Sequence, residues 1–247
     1  MSASNLGWGH RTNLGADVNF KNSLINFLRR YGFYFSPLCM QYTGLSLRPY
    51  SGSDDRLFRH YFCLEITKHN KEPIAECGIG TGFSMFYLNS YLAKKKDGRH
   101  YYGFDTFEGF PYIHEQDLEG IPEQRKKISR VGNYAWKSYF IERQARFTGN
   151  FSGIHFYKGR FEESMPKLSA EQKFSFVFMD CDLYQSYKTC LEHMYHRVVS
   201  GGVILFDEYH QVRDWPGAKK AIDEFFADKP EKPERLPFGD SWIVRKQ

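Results

Sequence analysis

Residues 74–84 read Ile-Ala-Glu-Cys-Gly-Ile-Gly-Thr-Gly-Phe-Ser: an apolar lead-in, an acid, then Gly78, Gly80 and Gly82 before a helix-like run. Glycine permits backbone torsions closed to other residues. A chain of this pattern can therefore turn sharply off a strand and bring the N–H groups of the next helix up to a ligand. Alone, the cluster also fits an ordinary turn, because G-x-G is a frequent tripeptide. Its surroundings narrow the choice. Residues 83–96 have helical spacing and end in Lys94, Lys95 and Lys96, which suits a helix C-terminus, and residues 100–104 form a strand-like run ending at Asp105. Strand, glycine loop, helix, strand and acid is the order of a nucleotide-cofactor unit in a parallel α/β sheet, where the acid at the second strand tip reaches a ribose diol.

The dinucleotide fingerprint is G-x-G-x-x-G, whereas here the third glycine comes one residue early and Glu76 lies two positions before the first. The spacing leans towards S-adenosylmethionine and away from NAD. An NAD-dependent oxidoreductase is the rival enzyme class, since the loop and Asp105 tolerate it.

A chain of 247 residues suits one α/β domain with an appended segment, able to bury a core without disulfide or metal staples. Cys39, Cys63, Cys77, Cys181 and Cys190 are scattered and never in C-x-x-C spacing, so neither a disulfide framework nor a structural zinc site is indicated. No signal pattern opens the chain and no apolar run approaches the roughly 18 residues that span a bilayer, so the protein is read as cytoplasmic and free of membrane. The net charge of +5 comes with short basic clusters such as Arg125-Lys126-Lys127, which read as solvated helix faces and leave an anionic substrate open. A nucleic-acid substrate is disfavoured by that thin basic surface and by Met179-Asp180-Cys181-Asp182 standing where base-modifying enzymes carry an N-P-P-Y-type loop.

Before the glycine loop, Phe20, Leu24, Ile25, Phe27 and Leu28 mark a first helix within 17–31, and Ser53 can cap a second running to about His69. Residues 1–73 are thus expected as an N-terminal helical extension serving as cover, substrate contact or dimer contact in a possible homo-oligomer, with residues 74–247 as the cofactor domain. Residues 112–132 are polar and aperiodic, long enough for a lid or a surface insertion. Helical spacing resumes over 133–147, a strand is expected at 154–157 and a turn at Gly159-Arg160-Phe161. The unbroken apolar run 174–179 reads as a strand covered on both faces. It ends in Asp180-Cys181-Asp182, a helix over 186–199 leads to a strand at 203–206, and that strand ends in Asp207-Glu208. A helix over 215–227 and a closing edge strand at 241–246 complete a doubly wound sheet of about seven strands.

Asp180, Asp182, Asp207 and Glu208 would thus gather at the carboxyl edge of the sheet beside the glycine loop. Such a concentration of negative charge is costly unless a cation sits within it, and all-oxygen ligands favour Mg²⁺. The plainer alternative is that these acids cap helices and form turns. Cys181 would point away from the site if the backbone stays extended.

Taken together, E-C-G-I-G-T-G, F-D-T-F-E-G-F-P, G-R-F-E-E-S-M-P, M-D-C-D-L-Y and S-G-G-V-I-L-F-D-E-Y-H followed by W-P-G-A-K-K-A-I-D-E-F resemble the macrocin O-methyltransferase family from residue 74 to the C-terminus. The resemblance implies a class I methyltransferase fold that uses S-adenosylmethionine and Mg²⁺ to methylate a hydroxyl of a sugar, glycoside or nucleotide-sugar in natural-product biosynthesis. It places Gly78, Gly80 and Gly82 at the methionine part of the cofactor, Asp105 at the ribose and Gly159, Arg160 and Phe161 at the adenine. Glu76, Ser84, Thr106 and Asp180 complete the cofactor candidates. Asp180, Asp207 and Glu208 are the implied metal ligands, Asp182 the implied base, and His210 a second candidate base. Glu208 departs from the family pattern, which has a second Asp there; one more methylene shifts the carboxylate by about 1.5 Å. That departure also leaves open a non-catalytic binding protein on the same fold. Trp215 can anchor its helix or stack on a sugar.

Overall fold

The computed structural model describes residues 53–247 apart from 128, 212 and 238; the helix expected within 17–31 lies outside the described residues. A seven-stranded sheet runs β3-β2-β1-β4-β5-β7-β6. Its members are β1 (Ile74–Cys77), β2 (Tyr101–Asp105), β3 (Ile154–Lys158), β4 (Phe174–Met179), β5 (Val198–Phe206), β6 (Glu234–Arg235) and β7 (Trp242–Arg245). The first five strands are mutually parallel, and β7 runs antiparallel to both β5 and β6. The order reverses at β1, which lies between β2 and β4, so its carboxyl end opens at the crevice where parallel α/β sheets take ligands.

Alternation along each strand sends neighbouring side chains to opposite faces. Val177, Met179, Ile204 and Phe206 enter one core, which α7 (Tyr184–Met194) and α8 (Pro216–Phe226) cover with Tyr187, Leu191, Ala221 and Ile222. Phe176, Phe178, Val203 and Leu205 enter the other, covered by α1 (Ser53–Ile66), α2 (Phe83–Lys95) and α5 (Ser138–Ala145) through Leu64, Leu88 and Ile141. Among the described residues, short helices α3 (Glu115–Leu118), α4 (Glu123–Lys126) and α6 (Phe161–Ser164) are the remaining ones. Among the described residues, no helix is long and apolar enough to cross a membrane.

Arg99 fastens α1 to the lower edge of the sheet. Its guanidinium donates to the Leu64 carbonyl at 3.1 Å, Thr67 Oγ1 at 2.9 Å and Ser175 Oγ at 3.2 Å, and it is braced by Asp97 at 2.7 and 2.9 Å. With that end held, Arg59 on the same helix reaches the opposite, carboxyl edge.

Several expectations need correction. The strand near the C-terminus is not at the edge: two residues, Glu234 and Arg235, pair outside it as β6, too short to leave a sequence pattern. The helical spacing over 133–147 yields a helix only at Ser138–Ala145. The helix expected to reach residue 199 ends at Met194, followed by a 3-10 turn, because Val198 already pairs with Phe174. Where a turn was expected, Phe161–Ser164 is a single helical turn.

Candidate active site

Strand register builds the site. Cys77 stands beside both Phe104 and Met179, and Met179 beside Phe206. The next residue of each strand, Gly78, Asp105, Asp180 and Asp207, therefore falls in one row along the carboxyl edge. At Gly78 (φ +89°) a Cβ would lie 1.8 Å from the Asp180 carbonyl oxygen, so glycine here lets β1 and β4 close up. A Cβ at Gly80 would meet nothing within 4 Å, which makes that point of the loop a face onto open space.

Asp105 clamps this loop. Its Oδ2 accepts the N–H groups of Ile79 at 2.8 Å and Gly80 at 3.0 Å, and Oδ1 accepts that of Phe107 at 2.6 Å. Burial pushes its pKa up, against the lowering effect of those donors. A carboxylate offers about four acceptor positions, so roughly one is left for a ribose hydroxyl. Glu76 lies fully buried beneath the loop, where Ser84 Oγ donates to Oε1 and the Tyr101 phenol donates to Oε2 at 2.5 Å. Burial pushes the Glu76 carboxyl up to about 8. Glu76 and Ser84 thus bond each other, joining β1 to the first turn of α2. Thr106 Oγ1 likewise serves its own turn, donating to the Gly109 carbonyl at 2.8 Å and accepting from Glu108 N–H at 3.1 Å. Gly159 N–H reaches the Asp105 carbonyl at 3.1 Å, which draws Gly159, Arg160 and Phe161 to the same edge.

Asp180, Asp207 and Glu208 each offer an oxygen, and these three atoms lie within 4.8 Å of one another. Asp207 and Glu208 are almost wholly buried, at 4% and 1% exposure. Burial drives the Glu208 carboxyl well above the usual range, and the charges of Asp180 and Asp182 add to the shift. The Tyr187 phenol hydrogen-bonds Glu208 Oε2 and holds the longer acid in place. Arg59 donates to Asp207 Oδ1, and Gln211 Nε2 lies 3.3 Å from Oδ2. With all three acids ionised and Arg59 counted, the cluster carries a net charge of two negatives, which a hard divalent cation would balance with oxygen ligands. The residues fit such an ion. Cys181 turns into the core, 3.4 Å from the Cys77 carbonyl and 3.5 Å from Cys190 Sγ, with burial pushing its thiol up to about 12.

Asp182 stands outside the trio in a left-handed backbone conformation, φ +58°. His210, two residues past Glu208, is exposed. Residues 112–132, which carry the short helices α3 and α4, are closed by the Phe110 N–H to Asn133 carbonyl and Gly132 N–H to Phe110 carbonyl bonds, both 2.9 Å. The segment has anchors of its own. Buried Asp117 accepts the Tyr184 N–H at 2.6 Å and the His114 N–H at 2.9 Å, and the Arg125 guanidinium lies 4.2 Å from the ring of Trp215. Trp215 is thus buried against its neighbours at the start of α8.

Sequence reasoning missed Arg59, Tyr101, Tyr187 and Gln211. Arg59, Tyr101 and Tyr187 are each an isolated polar residue at least 21 positions from the acid it serves, and Gln211, four residues past Asp207, is a single polar residue in a turn; no spacing rule marks any of them.

A model of the macrocin O-methyltransferase family matches residues 56–233. The chain is 25% identical over 161 residues to 8-demethyl-8-(2,3-dimethoxy-alpha-L-rhamnosyl)-tetracenomycin-C 4'-O-methyltransferase of Streptomyces olivaceus, a match covering 62% of this chain and 60% of the relative. It is 26% identical over 175 residues to demethyldecarbamoylnovobiocin O-methyltransferase of Streptomyces niveus, covering 67% and 63%. The matched region thus spans about three fifths of the length of these curated relatives. Among solved structures, the calicheamicin methyltransferase CalS11 superposes with a TM-score of 0.68 over 99% of both chains at 20% identity, a likeness of fold.

Proposed function

Since the chain belongs to the macrocin O-methyltransferase family, we propose that it is an O-methyltransferase that uses S-adenosylmethionine and Mg²⁺ to methylate a hydroxyl on the sugar of a natural product or its precursor. The observation that carries this reading is the acid trio Asp180, Asp207 and Glu208 on the same sheet edge as the glycine loop. When bound, the cofactor supplies an electrophilic methyl group and the cation supplies a Lewis acid that eases deprotonation of an alcohol.

The chain's own residues divide the remaining work. Gly78, Gly80 and Gly82 shape the loop that approaches the cofactor, Asp105 holds that loop while offering its last acceptor position to the ribose, and Gly159-Arg160-Phe161 borders the adenine. Asp180, Asp207 and Glu208 would hold the cation. Asp182, beside the trio but not of it, would take the proton from the acceptor hydroxyl; the exposed His210 is the second candidate for that role. Residues 112–132, anchored at both ends, cover the acceptor side.

Transfer of a labelled methyl group to a panel of sugars, glycosides and nucleotide-sugars, with Mg²⁺ and with chelator, tests the proposal, alongside calorimetry with S-adenosylhomocysteine and NAD. Methylation that chelator abolishes while S-adenosylhomocysteine still binds is the expected result. Micromolar NAD binding without S-adenosylhomocysteine binding would overturn it.

A further inference from the structure

Three helices meet at Asp117, a carboxylate of the 112–132 segment that is 1% exposed. Its Oδ2 accepts the His114 N–H at 2.9 Å and closes the start of α3, while Oδ1 accepts the N–H of Tyr184, the first residue of α7, at 2.6 Å. The residue at the N-cap position of α7 is Leu183, whose side chain has no acceptor to offer. A carboxylate 67 positions away thus serves a helix end that its own neighbours leave uncapped, and its charge suits the positive end of the helix dipole. The third helix presses on the same point. A Cβ at Gly217 in α8 would lie 2.2 Å from Asp117 Oδ1 and 2.9 Å from Tyr184 Cβ, so glycine there lets α8 pack onto the cap. Burial pushes the Asp117 carboxyl up, against the lowering effect of the Tyr184 and His114 donors.

Behind that cap, α7 carries the support of the acid trio. Tyr187, in the same first turn, donates to the Met179 carbonyl at 2.8 Å and hydrogen-bonds Glu208 Oε2, and its N–H bonds the Leu183 carbonyl at 2.9 Å. Just ahead of the helix, the Leu183 N–H turns back onto the Cys181 carbonyl at 2.6 Å after the left-handed Asp182. An unbroken line therefore runs from the 112–132 segment through Asp117, the first turn of α7 and Tyr187 to Glu208. Three residues of helix, about 4.5 Å of rise, separate Tyr184 from Tyr187. A helix start that frays would let Tyr187 drift from Glu208, an acid almost wholly buried.

We infer that Asp117 is a positioning residue for the acid trio: by capping α7 it holds Tyr187 against Glu208, so that closure of the 112–132 segment and loading of a divalent cation support each other. This assignment rests on the methyl-transfer reading, from which the trio takes its cation. The two effects are reciprocal, since a contact that favours the ion must be favoured by it to the same extent.

The test is calorimetric titration of Mg²⁺ into the full chain with S-adenosylhomocysteine bound, joined to trypsin cleavage at exposed Lys127 with and without Mg²⁺. Asp117→Ala should weaken Mg²⁺ by roughly five- to tenfold, the scale of a lost helix cap, with S-adenosylhomocysteine affinity unchanged. Asp117→Asn keeps the shape and one acceptor oxygen, so it should lose only about two- to threefold, and it carries the decision if the alanine variant fails to fold. Tyr187→Phe should weaken Mg²⁺ as well, and adding Asp117→Ala to it should weaken it little further, because both act through Glu208. Mg²⁺ should slow cleavage of the parent and leave that of Asp117→Ala nearly unchanged, a difference that loss of stability alone would not produce. Parent Mg²⁺ affinity in the deciding variant, additive losses with Tyr187→Phe, or cleavage of the parent indifferent to Mg²⁺ would overturn the inference. A parent that does not bind Mg²⁺ would instead strike the cation-dependent methyl-transfer reading itself.

Discussion

Arg59 and Asp207, 148 positions apart in sequence, meet as a buried ion pair at the carboxyl edge of the sheet. Arg59 comes from α1, ahead of the glycine loop in the chain, and is 4% exposed, so that helix contributes the cation paired with Asp207. Without it, Asp207 would be a second buried acid beside Glu208 and half-buried Asp180.

Arg59→Met should therefore cost about 3–5 kcal/mol in chemical denaturation without divalent cations, the scale for removing one partner of a buried pair. Mg²⁺ should restore more stability to the variant than it adds to the parent, because the ion supplies the missing positive charge. A loss below ~1 kcal/mol would mean that Asp207 is solvated or protonated without its partner.

Glu76 makes stability fall as pH rises. Its carboxyl titrates near 8 in the folded protein, against about 4.3 when unfolded, so the folded state holds the extra proton between those values. The contribution is complete below the unfolded pKa and lost as pH rises through the folded one. Between pH 5 and 9 the parent should lose about 4 kcal/mol more than Glu76→Gln, which has no proton to release, a difference of roughly 8–16 °C in Tm. Parallel Tm profiles for the two proteins would show that Glu76 is ionised throughout.

Gly78→Ala and Gly80→Ala should part company. At Gly78 the new methyl would meet the Asp180 carbonyl, backbone that cannot move without separating β1 from β4, so a loss of at least ~2 kcal/mol is expected. At Gly80 the methyl would point into open space, and left-handed strain alone should cost ~1–2 kcal/mol. Calorimetry should nevertheless show that Gly80→Ala weakens S-adenosylhomocysteine by tenfold or more if the cofactor occupies that space. Unchanged affinity would move the cofactor elsewhere.

The trio and Asp182 should respond differently to neutral substitution. Asp180→Asn, Asp207→Asn and Glu208→Gln each remove a ligand charge, so metal affinity should fall and excess Mg²⁺ should partly rescue methyl transfer. Asp182→Asn should bind metal and cofactor normally while turnover drops by about 10² to 10⁴ without rescue, the scale of a lost general base. Rescue of Asp182→Asn by metal would make it a ligand. Glu208→Asp should keep the metal only if the acid can reach without the length that Tyr187 now holds.

The strand cores, the glycine loop and the acids were legible because each is a local pattern. Phe174–Met179 is a continuous apolar run, and Asp180 and Asp207-Glu208 directly follow strands, so their place on the sheet edge follows from strand polarity. That three of those carboxylates share one small space and that Asp182 lies outside it depended on the register of β4 against β5 and on a left-handed kink at Asp182, neither of which any spacing encodes. Asp105 was legible as an acid at a strand tip, but its three bonds to the glycine loop were not, because they depend on how β1 and β2 align. The physical reason is range. Periodicity and turn chemistry act over a few residues, whereas Arg59, Tyr101 and Tyr187 acquire their roles only when packing carries them to acids that are distant along the chain, where burial makes a single hydrogen bond decide whether a charge is tolerated.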